Sequence, residues 1–144
     1  MPDIRYPIGK LEAKAELTGA EREVLICQIA EAPGKLQEAV RGLTAEQLDV
    51  PYRPGGWTIR QQVHHLPDSH MNAYIRFKLT ITEQQPTIKP YDQSLWAELS
   101  DAKSAPIEDS LVLLEALHKR WVLLLRSLSP DAFAKTLTIQ RVAS

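Results

Sequence analysis

Hydrophobic residues recur at steps of three and four along three long segments of the chain, as expected for helices that each bury one face. The first segment follows a capping box at residues 18–21, in which a threonine and a glutamate each satisfy a free backbone donor. We predict a helix over 18–43. Pro33 and Gly34 lie in its middle, but the pattern keeps its phase across them, which indicates one kinked helix.

A similar capping box at residues 58–61 opens the second helix, which the pattern predicts over 58–82. Pro67 lies inside this helix, and because proline removes a backbone hydrogen bond we expect a bend there. The third helix is predicted over 106–128, with Pro106 in its first turn, where a missing N–H does no harm.

The segments between and around these helices predict shorter elements. Residues 1–17 indicate an irregular arm, short helices are predicted after Thr44 and within 92–100, and a last short helix begins near Pro130. The tail 136–144 shows no helical period. Three long helices without a convincing strand predict an all-α protein, a bundle of the four-helix type with three long helices present.

Composition narrows the class of protein. A chain of 144 residues is the size of a single domain, so we expect one domain over 1–144. The net charge of -1 lacks the basic footprint of a nucleic-acid binder, and no apolar stretch approaches the length of a membrane span. Cys27 is the only cysteine, which excludes an internal disulfide and suits a reducing compartment. We therefore expect a soluble, cytoplasmic protein with neither nucleic acid nor membrane as partner.

Three of the four histidines, His64, His65 and His70, lie close together on the predicted second helix. The helical period places His70 on the apolar stripe and His65 on a neighbouring polar strip. No two of them have the i, i+4 spacing that brings two imidazoles of one helix to one zinc, whereas His64 and Asp68 have that spacing and could pair. From the pattern alone, metal ligands and ordinary structural histidines both stay open.

Other chemical patterns are weaker. Glu115 and His118 stand at i, i+3, which is half of the paired arrangement of di-iron bundles, but the sequence holds no second such pair. The pair Gly55–Gly56 is not followed by the Lys-Ser/Thr of a phosphate loop, so we interpret it as the turn that leads into the second helix.

Four stretches of the chain resemble the YfiT branch of the DinB-like proteins. They are YPIG, LDVPYRPGGWTIRQQVHHLPDSHMNAYIRFKLTITE, IKPYDQSLWAEL and LHKRWVLLLRSL. The resemblance implies a small bacterial protein of the four-helix type, described as a metal-dependent hydrolase and related to thiol S-transferases that use bacillithiol. It also implies a small-molecule substrate and a homodimer.

The resemblance further implies a divalent metal, zinc or nickel, held by three histidines. One comes from the HHL stretch and two from an H-x-x-x-H on the last long helix of the family. Carried over by position, His65 is the metal ligand, whereas His64 and His70 belong to the same block without being ligands. The sequence contains no H-x-x-x-H. We therefore expect a domain that is C-terminally incomplete relative to the family and does not bind metal tightly by itself.

Two functions follow from the resemblance and one stands against it. The first two are a hydrolase and a thiol S-transferase acting on the same metal site. The alternative is a non-catalytic helical interaction module that has lost its metal site, in which another chain fills the groove left by a missing helix.

Overall fold

The computed structural model describes residues 18–140, and the side chains of residues 137–140 are outside that description. The arm predicted before residue 18 and the last four residues of the predicted tail therefore lie outside the described residues. The helices of the described part are α1 Gly19–Val40, α2 Ala45–Leu48, α3 Ile59–Thr82, α4 Gln93–Ala97, α5 Ser100–Lys103, α6 Glu108–Ser127 and α7 Pro130–Gln140.

The three predicted long helices are confirmed as α1, α3 and α6. The capping boxes define the starts of α1 and α3, because the hydroxyls of Thr18 and Thr58 each accept a bond from the backbone N–H three residues later, at 3.1 Å. Pro33 and Pro67 are both buried inside helices that continue through them, so α1 is one helix as predicted. The bend expected at Pro67 stays a prediction.

Two details of the sequence prediction are wrong. Pro106 lies before Ile107, the N-cap residue of α6, so it stands outside the first turn of that helix. The tail was predicted to lack helix, yet α7 continues to Gln140. The reason is tertiary packing: Phe133 is buried in the main core and α7 contacts α3, which stabilises the helix.

The core forms two clusters that reveal how the helices run. The main cluster contains Ile26, Phe77, Trp121, Val122, Leu125 and Phe133, and the second contains Val40, Leu48, Val63 and Ile107. The second cluster joins the end of α1 to the starts of α3 and α6, and the main cluster joins the start of α1 to the far ends of the other two. Thus α3 and α6 run parallel to each other and antiparallel to α1, and the long connection 83–107 makes the parallel arrangement possible.

The all-α prediction is confirmed. Residues 18–140 contain no strand, and the only bridge among them joins Pro51 to Thr58 in the loop before α3. No helix in this part of the chain is long and apolar enough to cross a bilayer. Helix α6 packs against both α1 and α3, so the middle of α3 and α6, where His70 and His118 lie, is enclosed between the two core clusters.

Candidate functional site around the histidines of α3

A tight turn before α3 precedes Trp57, whose ring lies beside His65. The Gly56 N–H donates to the Arg53 carbonyl at 3.0 Å, with Pro54 and Gly55 between them, and Gly55 has φ of +73°. This is the left-handed conformation that a Pro-Gly turn of type II requires. A Cβ at Gly56 would lie 2.7 Å from the Arg53 side chain. The predicted turn is therefore confirmed, and Trp57 follows it directly.

His64 is buried and fully hydrogen-bonded. It is 5% exposed, with Nε2 at 2.8 Å from the Ala105 carbonyl and Nδ1 at 2.6 Å from the Ser110 hydroxyl. Because a carbonyl can only accept, Nε2 carries the proton and Nδ1 accepts from the hydroxyl. Both ring nitrogens are thus occupied, and neither pairs with Asp68 as the spacing had allowed. His64 joins α3 to the segment that enters α6.

Two other side chains of the same helix, Arg60 and Gln61, also donate hydrogen bonds to backbone carbonyls. The Arg60 guanidinium donates to the Ala105 carbonyl at 2.9 Å and to the Asp49 carboxylate at 2.8 Å. The Gln61 amide donates to the Ala97 carbonyl at 2.8 Å. The first turns of α3 are therefore joined to the segment 97–105 by hydrogen bonds from Arg60 and Gln61 to its backbone.

His65 lies beside the Trp57 ring instead. The two ring centroids are 4.9 Å apart at an angle of 58°, and neither nitrogen of His65 is hydrogen-bonded within the described residues. Burial lowers the pKa of His65 below its usual value. At neutral pH the side chain is therefore a neutral imidazole with an available lone pair, the form in which histidine binds metals.

His70 faces the helix core, as its position on the apolar stripe predicted. Its Nδ1 is 2.6 Å from Nε2 of His118 on α6, and Nδ1 of His118 is 2.7 Å from the carbonyl oxygen of Ile29 on α1. The pKa of His70 is lowered to about 4, first by burial and then by the positive charges that His118 and His65 carry when protonated. His70 is neutral at physiological pH.

Trp121 forms the apolar wall of this histidine pair. Its ring meets those of His70 and His118 edge-on at 6.5 and 6.2 Å, and those of Tyr74 and Phe77 at 5.6 and 5.9 Å. Only 8% of Trp121 is exposed, and its indole N–H has no hydrogen-bond partner within the described residues. The wall restricts water on one side of His70, which favours its neutral imidazole.

A groove of about 490 Å³ lies between α1 and α6. Its lining residues are Ala30, Pro33, Gly34, Gln37, Glu115, His118, Lys119, Val122 and Leu123. At its rim Glu115 accepts from Gln37 at 3.3 Å and pairs with Lys119 at 3.1 Å, and these partners lower the pKa of the carboxyl group. Glu115 therefore has surface partners of its own.

The residues do not fit a complete catalytic metal centre. Such a centre needs three protein ligands and one open position. Within residues 18–140, no three histidine, cysteine, aspartate or glutamate side chains lie together in a way that could hold a metal ion. His65 has the right chemistry for one ligand, and His70 lies within electrostatic reach of it. The described part of the chain brings no third ligand to them.

Sequence reasoning missed two relationships in the site. It did not predict the hydrogen bond between His70 and His118, although both lie at the middle of apolar stripes on their helices, and two polar residues on facing stripes are a signal that they meet. It also missed that the carbonyl of Ala105 occupies His64, because nothing in the sequence fixes where the connection 83–107 passes over α3.

Comparison with known proteins places this histidine-bearing helical bundle in a family. The sequence model of the DinB superfamily matches residues 28–143. A solved structure of YfiT from Bacillus subtilis, described as "a probable metal-dependent hydrolase with an unusual four-helix bundle topology", superposes with a TM-score of 0.87 at 44% identity. The match covers 91% of this chain and 83% of that one. The chain belongs to the DinB superfamily and is YfiT-like within it.

Curated relatives agree with this family. Proteins of Bacillus cereus strain AH820 and Bacillus anthracis strain A0248, each named "Putative metal-dependent hydrolase", are 54% identical to the chain over 136 residues. The matches cover 94% of this chain and 78% of each relative. The resemblance drawn from the sequence is thereby confirmed at the level of the family.

Proposed function

We propose that this chain is a metal-dependent hydrolase of the YfiT type and that His65 supplies one nitrogen ligand to its metal. One observation carries the assignment of His65. In the doublet, both nitrogens of His64 are occupied by Ala105 and Ser110, whereas those of His65 are unbonded within the described residues. A metal ligand needs a free lone pair, so only the second histidine of the doublet can serve.

The proposed metal is zinc or nickel, since both accept neutral imidazole nitrogen. A bound divalent metal would supply Lewis-acid chemistry to a small-molecule substrate. The further ligands would have to come from outside residues 18–140 of one chain, because those residues offer no group of three. This incomplete set is also what favours the second candidate function, a non-catalytic helical interaction module.

Calorimetry with zinc and nickel separates these two functions. The chain is compared with a version extended by a helix bearing the H-x-x-x-H that the resemblance implies. We expect the extended version to bind about one metal per chain far more tightly than the chain itself, and to hydrolyse an ester or amide substrate only when loaded. Failure of the extended version to bind either metal would favour the interaction module.

Hydrolysis and thiol transfer need a separate assay. The loaded, extended protein is given an electrophilic substrate with and without a low-molecular-weight thiol. A hydrolase forms its product in water alone, whereas a thiol S-transferase forms product only with the thiol. Product that requires the thiol would overturn the proposal of hydrolysis while leaving the metal site intact.

We also propose a cytoplasmic homodimer. Helix α6 exposes three large apolar side chains, with Val112 64%, Leu113 42% and Leu123 72% accessible. Exposed apolar patches often mark contact surfaces. Light scattering should therefore give the mass of a dimer, and Leu123→Glu should shift it towards the monomer. A monomeric mass at high protein concentration would contradict this proposal.

A further inference from the structure

Pro33 changes the hydrogen bonding of α1 at one carbonyl. Inside a helix each C=O accepts from the N–H four residues later, but proline has no N–H. The carbonyl of Ile29 therefore lacks its helical donor. His118 supplies one from α6, because its Nδ1 lies 2.7 Å from the Ile29 oxygen. Since that oxygen can only accept, the proton of this bond belongs to Nδ1 of His118.

The proton on Nδ1 decides the direction of the next bond. When His118 carries a single N–H, on Nδ1, its Nε2 holds a lone pair and accepts. The atom facing it at 2.6 Å is Nδ1 of His70, which must therefore be the donor. His70 is then the tautomer with its proton on Nδ1 and an unprotonated Nε2. Burial and the lowered pKa of His70 are consistent with this neutral form.

The second ring nitrogen of His70, Nε2, has no hydrogen bond within the described residues, and His65 is close enough to lower the pKa of His70. His64, on the same helix, is held in the opposite tautomer by the Ala105 carbonyl. One helix thus fixes two histidines in opposite tautomers through bonds to different parts of the chain.

We propose that His118 is a positioning residue, held by the carbonyl that Pro33 leaves free, which keeps His70 in the tautomer whose Nε2 can accept a proton or hydrogen bond. A hydrogen-bond partner on one nitrogen is the usual means by which a protein fixes the tautomer of a functional imidazole. The group bound at His70 Nε2 would be a donor, such as a water molecule or a substrate N–H or O–H. This role requires neither a bound metal nor hydrolysis, so it stands or falls separately from the proposed function.

Long-range ¹H–¹⁵N correlation spectra of the ¹⁵N-labelled chain at pH 7 test the tautomers directly. We expect His70 and His118 to carry the proton on Nδ1, and His64 to carry it on Nε2 as an internal reference. A wild-type spectrum with the His70 proton on Nε2 would overturn the proposal, even if the fold and His64 were as described.

Two variants then test whether His118 causes the tautomer. In His118→Gln the amide oxygen can take the place of Nε2 as acceptor, so His70 should keep its Nδ1 proton. In His118→Leu the acceptor is lost, and a substantial fraction of His70 should move its proton to Nε2. A His70 tautomer unchanged in His118→Leu, or shifted equally in both variants, would show that His118 does not position it. If His118→Leu fails to fold, the wild-type spectrum and the glutamine variant decide.

Discussion

Polar side chains make different contacts in two adjacent regions of α3, the first region at residues 60–64 and the second at residues 65–70. In the first turns, Arg60, Gln61 and His64 all donate to backbone carbonyls of the segment from Ala97 to Ala105. In the second region, His65 and His70 each have at least one ring nitrogen that makes no hydrogen bond within the described part of the chain. The first region uses its polar groups to fasten a loop, and the second leaves capacity for a ligand.

The contrast shows that burial alone does not mark a functional histidine. His64 is the most buried histidine of α3, yet its two bonds exhaust its capacity. His65 is its neighbour in sequence, but a turn of about 100° directs its ring to the Trp57 side of the helix. What distinguishes a candidate ligand is an unsatisfied lone pair on a neutral ring.

The largest effect is expected from removing the Trp121 ring, which packs against His70 in the second region. Trp121→Ala should destabilise the fold by about 3–5 kcal/mol, because it empties the centre of the main core. It should also admit water to His70 and raise the pKa of that residue towards its ordinary value, since burial is the main cause of the shift. Chemical denaturation gives the first quantity and NMR titration the second. An unchanged pKa in a folded variant would contradict the role of the wall.

The next largest effect is expected from replacing His64 in the first region, with the same replacement of His65 as the matched control. His64→Leu should cost about 1–3 kcal/mol, because it removes the bonds to Ala105 and Ser110 from a buried site. His65→Leu should cost at most about 1 kcal/mol, since no hydrogen bond is lost. Urea denaturation of both variants measures the difference. Equal costs would mean that the doublet is not divided into a structural and an open member.

The dependence of stability on pH reports the second region. The pKa of His70 is about 4 when folded and about 6.5 when unfolded, so the unfolded state binds more protons between these values. Stability should therefore fall as pH drops from about 6.5 towards 4. We expect this loss to be smaller than that of His64→Leu, because solvent reaches part of the ring.

Replacing the histidine provides the control for this pH effect. His70→Asn should flatten the slope of unfolding free energy against pH between about 6.5 and 4, measured by denaturation at several pH values. His65 also has a lowered pKa and contributes in the same direction, so some slope should persist. An unaltered slope in His70→Asn would show that His70 is not the group responsible.

The smallest effect is expected from removing the N-cap of α3, Thr58, just before the first region. Thr58→Ala should destabilise by about 1 kcal/mol, because its hydroxyl caps the N–H of Gln61. Thr44→Ala, at the equivalent position of the four-residue helix α2, should cost less because that cap is exposed. Thermal denaturation compares the two. A larger loss for Thr44 would argue against the importance of the α3 cap.

Local features of the fold were predictable from the sequence, because capping boxes and apolar stripes act over a few residues. Thr18, Thr44 and Thr58 each begin a helix as their boxes indicated. The start of α7 near Pro130 was predicted, but its continuation over residues 136–140 was not, since α7 depends on packing against distant residues through Phe133.

The site was predictable only in part for the same reason. The apolar stripe indicated that His70 faces inward, but its partner His118 lies 48 positions away on a helix whose parallel orientation the sequence does not reveal. The bond from His118 to Ile29 depends in turn on Pro33, whose missing N–H was interpreted only as a kink. The role of His65 as a ligand stays a prediction from family resemblance, which the free nitrogens of its ring support.

The central claim is that both ring nitrogens of His64 are occupied by hydrogen bonds, whereas His65 has a ring nitrogen that can bind a metal ion. Adding Ni²⁺ stepwise to the ¹⁵N-labelled chain while recording the histidine ring resonances tests it directly, because a paramagnetic ion broadens the ring it binds even when binding is weak. We expect the His65 signals to broaden first and those of His64 to keep their chemical shifts, and we expect His65→Gln to abolish the effect. Broadening that persists in His65→Gln, or that begins at His64, would contradict the claim.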